Sequence, residues 1–164
     1  DFIGDNGYFP NILDHGDGSD PHLVVVEKNG SPGQFVMQAR DANGNRFNAD
    51  IDIGDPDPFQ RIEMVYAFDP SDGRSRLIGR ASGGSVQDSG ASTPSSWTQP
   101  NDWGGDNAIT YNEQGTHSGV GVSAHSYRRH FVSEFSAPDT DPFTGNDADL
   151  IDELAGYYLP PTAA

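Results

Sequence analysis

Three loops of this chain gather oxygen ligands at spacings that suit a hard cation. They are Asp14, Asp17 and Asp20; Asp41, Asn43 and Asn45, followed by Asp50 and Asp52; and Asp139, Asp141, Asn146, Asp147 and Asp149. Carboxylates and amide carbonyls are the donors that Ca²⁺ takes, and carboxylates crowded into a short loop repel one another unless a counter-ion sits among them. Ca²⁺ is therefore the expected cofactor, and these side chains are its candidate ligands. The middle loop can be tested against the EF-hand by taking Asp41, Asn43, Asn45 and Asp52 as its first, third, fifth and twelfth positions. Arg46 then stands where the sharp turn requires glycine, and the flanks read as strands, so an EF-hand is rejected. The same residues have a structural use, because Asp and Asn accept N–H bonds within turns, and Asn146 or Asp147 stands where a helix cap belongs.

A second set of residues suits a flat polar ligand. Trp97 and Trp103 lie six residues apart in a loop of Ser, Thr, Gln, Asn, Asp and Gly, a pattern that offers aromatic platforms among hydrogen-bonding groups. His117 and Tyr127 are the candidate neighbours of that loop. A glycan is the partner this pattern implies; the competing reading folds both indoles back over one end of the core. The five histidines make a weaker case for a metal enzyme. On one strand, His117 and His125 would stand roughly 26 Å apart, and His125 and His130 would point to opposite faces. No G-x-S-x-G elbow, P-loop, dinucleotide glycine pattern, S-x-x-K or H-E-x-x-H is present. Acidic pairs are too abundant here to single out a glycosidase, so no catalytic residue is assigned.

The elements that must carry these loops are short and extended. Residues 22–28 read as a buried strand and 34–40 as another, with Phe35, Met37 and Ala39 on one face. The Asn43-Gly44 step predicts a type I′ hairpin turn into residues 46–53, where Phe47, Ala49, Ile51 and Ile53 alternate with polar residues. Residues 59–68 and a weaker 74–81 follow across an Asp69-to-Gly73 turn. Residues 83–107 read as one long polar loop, and 108–112, 119–126 and 127–135 as further strands. Leu150, Ile151, Leu154, Tyr157 and Tyr158 recur at helical spacing, with Gly156 placed to stop the helix. The expected architecture is a single all-β domain over 1–164: an antiparallel β-sandwich, jelly-roll or immunoglobulin-like, of about eight strands with one short C-terminal helix. Residues 1–10 carry Phe2, Ile3, Tyr8 and Phe9 and read either as an extended arm that pairs with another subunit or as the first strand of their own sheet.

Composition bounds the partners. Of 25 acidic residues five are Glu (27, 63, 113, 134 and 153) and twenty are Asp; against them stand Lys28 and eight Arg, giving a formal net charge of -16. A surface of that sign repels phosphate, which argues against nucleic acid and anionic membranes. Asp prefers turns and caps to helix interiors, so the acid belongs to the loops. A solvated, salt-tolerant surface is the competing explanation for the charge. No apolar run approaches the roughly 20 residues that span a bilayer. With no cysteine, disulfides and thiolate metal sites are excluded. The chain begins at Asp1 and reads as secreted, its signal peptide removed. The expected function is a non-enzymatic extracellular or cell-surface structural and adhesive module with calcium-binding loops. Self-association or other surface proteins are its expected partners. A carbohydrate-binding or glycan-active protein is the alternative, and a histidine-metal enzyme the third.

Overall fold

The computed structural model describes residues 9–15, 22–28, 31–55, 62–100, 109–111, 120–122 and 141–158. In chain order these form β1 (Phe9–His15), β2 (His22–Glu27), β3 (Gln34–Arg40), β4 (Arg46–Asp52), β5 (Ile62–Asp69), β6 (Arg74–Ala81), β7 (Gln87–Asp88), β8 (Ile109–Tyr111), β9 (Val120–Val122) and α1 (Asp147–Tyr158). The protein is mostly β, in two antiparallel sheets with one short helix. The larger sheet runs β4-β3-β2-β1-β8, with β9 parallel to the first half of β1, and the smaller runs β5-β6-β7.

Register follows from the period-two pattern. In the larger sheet Leu23, Val25 and Glu27 lie opposite Ala39, Met37 and Phe35, which lie opposite Phe47, Ala49 and Ile51. This face therefore collects the apolar residues of three strands, and a slip of one residue would turn all of them to water. From the smaller sheet Leu77, fully buried, joins the same cluster, with Ile62, Met64, Tyr66 and Phe68 packed around it. Each such large side chain, fully removed from water, contributes roughly 1.5–3 kcal/mol. Gly79 lets the sheets approach at this point, since a Cβ there would fall 2.6 Å from Ile51 Cδ1. The other face of the smaller sheet, Val65 and Ile78, packs with Val86 against Leu150 and Ile151 of α1.

Several expectations are corrected. Strand 74–81, read as the weaker one, is buried on both faces because the core lies on one side and α1 on the other. The β3–β4 turn is centred on Ala42-Asn43 and not on Asn43-Gly44: Gly44 N donates to Asp41 O at 3.0 Å, and Gly44 itself takes φ +80°. A turn with its left-handed residue after the central pair carries an extra residue, so Gly is needed one place later than in type I′. Asp14, read as a loop residue, lies in β1, its backbone opposite Val24 and Thr110. Of the two readings of residues 1–10, the one in which they begin a strand of their own sheet holds for Phe9 and Pro10, the first residues of β1, which sits between β2 and β8. Gly156 does not end α1, which continues to Tyr158. Residues 83–107 are not wholly loop, for Gln87–Asp88 pairs with β6 and Ser92 bridges to Ser75. The expected strand 127–135 lies outside the described residues.

Candidate functional site

The densest cluster of predicted ligands that the structure describes is the β3–β4 turn, and it is organised by one carboxylate. Asp41 is 0% exposed. Its Oδ1 accepts the backbone N–H of Asn43 at 2.8 Å and of Asn45 at 2.9 Å; its Oδ2 accepts Asn45 Nδ2 at 2.9 Å and the Thr98 N–H at 3.2 Å. Burial pushes this carboxyl upward, but the hydrogen bonds from Asn45, Asn43 and Thr98 together outweigh it and hold the pKa below the usual carboxylate range. Four N–H groups match the four lone-pair positions of an ionised carboxylate. Every one of them directs a positive end at the oxygens, where a cation would have to sit. Asp41, Asn43 and Asn45 are thus brought together as a clasp. Asn43 Nδ2 reaches Thr98 Oγ1 at 2.8 Å, and Ala42 N donates to Thr98 O at 3.2 Å. The clasp ties the tip of the larger sheet to the segment that leaves the edge of the smaller one.

That segment also places Trp97. Its indole is half-buried, tilted against Phe47 (centroids 5.5 Å apart) and edge-on to Phe68 (5.7 Å), while Nε1 donates to Pro70 O at 2.9 Å. Under it lies Gly73, φ +73°, where a Cβ would meet the ring at 2.4 Å. The ring contacts described are with protein, as in the competing reading that folds the indole back on the core. Trp103, His117 and Tyr127 lie outside the described residues.

In the third acidic loop the carboxylates serve the chain's own backbone. Asn146 caps α1, its Oδ1 accepting from Ala148 N (3.0 Å) and Asp149 N (3.2 Å), while Leu150 N bonds Asn146 O at 3.0 Å. Asp147 Oδ1 accepts from Ala148 N at 2.9 Å, and Asp147 and Asp149 occupy the first turn, where the helix dipole favours negative charge. Asp141 Oδ1 accepts from Phe143 N at 2.8 Å; this bond and those from Thr144 hold its pKa low. Asp17, Asp20 and Asp139 lie outside the described residues. Among the described residues no three His, Asp or Glu side chains group as a metal site would.

The polar residues of greatest structural weight were not singled out from sequence. Along the outer face of β6, Arg74, Arg76, Ile78 and Arg80 meet the C-terminal segment in order. Arg74 lies 4.1 Å over the Phe143 ring. Arg76, 6% exposed, donates from Nε and Nη2 to the two Asp88 oxygens (3.0 and 2.7 Å) and from Nη1 to Pro142 O (3.2 Å) and Gly145 O (2.8 Å). Arg80 bonds Glu63 Oε2 at 2.5 Å and Asp152 Oδ1 at 2.7 Å. The Arg76 bond lowers the Asp88 pKa and the same pairing raises that of Arg76, with Asp147 and Asp141 adding to the latter. The available signal was the alternation itself: arginines at three of the four alternate positions 74, 76, 78 and 80, with Ile78 at the other, in a chain short of bases.

No family model matches this chain, and neither the curated proteins nor the solved structures contain a match. What the fold defines is a two-sheet antiparallel β protein with a helix docked on the smaller sheet, in which the buried charges Asp41 and Arg76 hold loops and layers together.

Proposed function

We propose that this protein is a non-enzymatic structural and adhesive module working outside the cell, its two sheets forming the layers of a β-sandwich. The core cluster drawn from both sheets, closed at Gly79 against Ile51, supports the sandwich. The observation that carries the functional reading is the use of charge. Asp41, Arg76 and Arg80 are each bonded to backbone or to an opposite charge, an arrangement that stabilises a scaffold and leaves recognition to its surface. The Ca²⁺ part of the proposal rests on Asp17, Asp20 and Asp139, since the Asp41 oxygens are already filled by N–H donors.

Thermal unfolding in metal-free buffer at fixed ionic strength tests the calcium part. Ca²⁺ should raise Tm and EDTA should reverse the rise, because a ligand bound only by the native state stabilises it by mass action; an unmoved Tm refutes calcium binding. Beads coated with the protein should cluster in Ca²⁺ and disperse in EDTA. Beads that never cluster, with themselves or with cells, argue against adhesion.

A further inference from the structure

From the free edge of the larger sheet we infer that β4 pairs antiparallel with β4 of a second copy of this chain, about a two-fold axis at Ala49. β4 is an outermost strand, hydrogen-bonded only to β3 among the described elements. The ladder fixes which backbone groups are left over. Ile53 N donates to Gly33 O and Asp41 N to Asn45 O, so the odd residues of β4 exchange hydrogen bonds with β3, and the N–H and C=O groups of 46, 48, 50 and 52 point outward. Among the described residues none of these four makes a backbone hydrogen bond in a turn or loop. Their side chains share the solvent face, and all four residues are exposed.

The strand reads Arg-Phe-Asn-Ala-Asp-Ile-Asp, and turning it about Ala49 makes it complementary to itself. Arg46 falls opposite Asp52 of the second copy and Asn48 opposite Asp50, each pair occurring twice. This register joins even residues to even residues, so it uses the outward-pointing backbone groups. A shift that centres the axis on Asp50 would set two carboxylates against each other and is disfavoured. Among the described residues Arg46 makes no ion pair, and Asn48, whose Oδ1 accepts from Gln38, has its amide hydrogens uncommitted. Asp50 pairs with Lys28 at 3.0 Å and Asp52 accepts from Gln34 and Gly54, so both carboxylates lie on the solvent face, and these exposed partners would be shared or exchanged on pairing. One strand pair is a small interface and belongs to the weak, transient class. This inference does not depend on calcium or on adhesion.

Sedimentation of the full chain at moderate salt should show a concentration-dependent dimer. Arg46→Glu should abolish it and the exchange variant Arg46→Glu/Asp52→Arg should restore it. A wild-type protein monomeric at every concentration, or an Arg46→Glu protein that dimerises as well as wild type, overturns the proposal. Because the chain has no cysteine, register can be read by disulfide trapping, which requires no exchange of charges. Across a hydrogen-bonded pair the Cα atoms stand about 5.5 Å apart, within disulfide reach. A mixture of Asn48→Cys and Asp50→Cys proteins should therefore cross-link well above either protein alone, whose thiols would be separated by a diagonal of roughly 7–8 Å. Equal cross-linking in all three samples, or none, refutes the register. Bead clustering that Arg46→Glu removes but EDTA does not would mark this contact apart from the calcium-dependent adhesion proposed above.

Discussion

Asp41 is where a single residue bears most on stability. Asp41→Asn keeps the size of the side chain but replaces one acceptor oxygen with an NH₂ that faces other N–H donors. Leaving buried donors unsatisfied costs on the order of 1–3 kcal/mol, and chemical denaturation at neutral pH should show a loss in that range. The pH dependence has a definite sign. The folded pKa of Asp41 is depressed, so its stabilisation is complete above the ordinary carboxylate value of about 3.9 and is lost as pH falls through the lower folded value. Asp69, Asp88 and Asp141 are shifted in the same direction and act in the same window. Wild type should therefore lose stability below about pH 4, and Asp41→Asn should lose less there, the two curves converging. Parallel curves would mean that Asp41 is not a source of the acid sensitivity. The turn through Asp41-Ala42-Asn43-Gly44-Asn45 was legible, though not its type, because Asp, Asn and Gly are all turn formers. Sequence could not show that Thr98, 57 positions later, would complete the carboxylate's set of donors; that contact depends on how two sheets meet.

At the scale of elements, the C-terminal segment is held to the smaller sheet by apolar contact at Ile78 and by the arginines either side of it. The two arginines are unequal. Arg76 and Asp88 have side-chain exposures of 7% and 24%, whereas Asp152, a partner of Arg80, is 65% exposed. Breaking a buried pair by removing one partner costs roughly 3–5 kcal/mol, while an exposed pair contributes about 0–1 kcal/mol. Arg76→Met should therefore destabilise by about 3 kcal/mol, the lower end because Asp88 retains access to water, and should open the chain around 141–158 to protease at unchanged temperature. Asp152→Ala should do neither to a comparable degree. If both variants behave alike, the helix is held by its apolar face alone. Strand β4 was the most legible because one face is apolar and the other wet, which is when alternation is sharpest. Strand β6 was undervalued for the opposite reason, since a strand covered on both faces loses the alternation of apolar and wet positions, and here one of the buried residues is an arginine, Arg76. β1 was missed in part because Pro10, Asn11 and Asp14 read as breakers and loop formers, yet they sit in a strand between two neighbours. The end of α1 was misjudged because a glycine stops a helix only where the chain turns away, and its cost inside a helix is about 1 kcal/mol.

For the molecule as a whole the governing quantity is the net charge of -16. Folding brings these carboxylates closer together than in the extended chain, so their mutual repulsion opposes the folded state. Salt acts on this repulsion more than on the ion pairs. The range of an exposed charge falls from about 30 Å at 0.01 M to about 10 Å at 0.1 M ionic strength, which covers the spacing between separate loops. The bonded pairs lie within a few ångströms, and partly buried ones such as Arg76 with Asp88 and Arg80 with Glu63 are screened less. Exposed pairs such as Lys28 with Asp50 contribute too little for their screening to offset the gain. Raising NaCl from 0.01 M to about 0.5 M in metal-free buffer should therefore raise Tm, with most of the change below about 0.1 M, where the screening length passes the spacing between loops. KCl should give the same curve, because screening depends on ionic strength and not on the identity of a monovalent cation. A Tm that falls with salt would mean that attractive pairs outweigh the summed repulsion. A response specific to one monovalent cation would mean a bound ion where the argument requires only a diffuse atmosphere. Calcium acts on top of this curve: an ion held in a loop lifts Tm at constant ionic strength, whereas screening alone leaves it on the monovalent line.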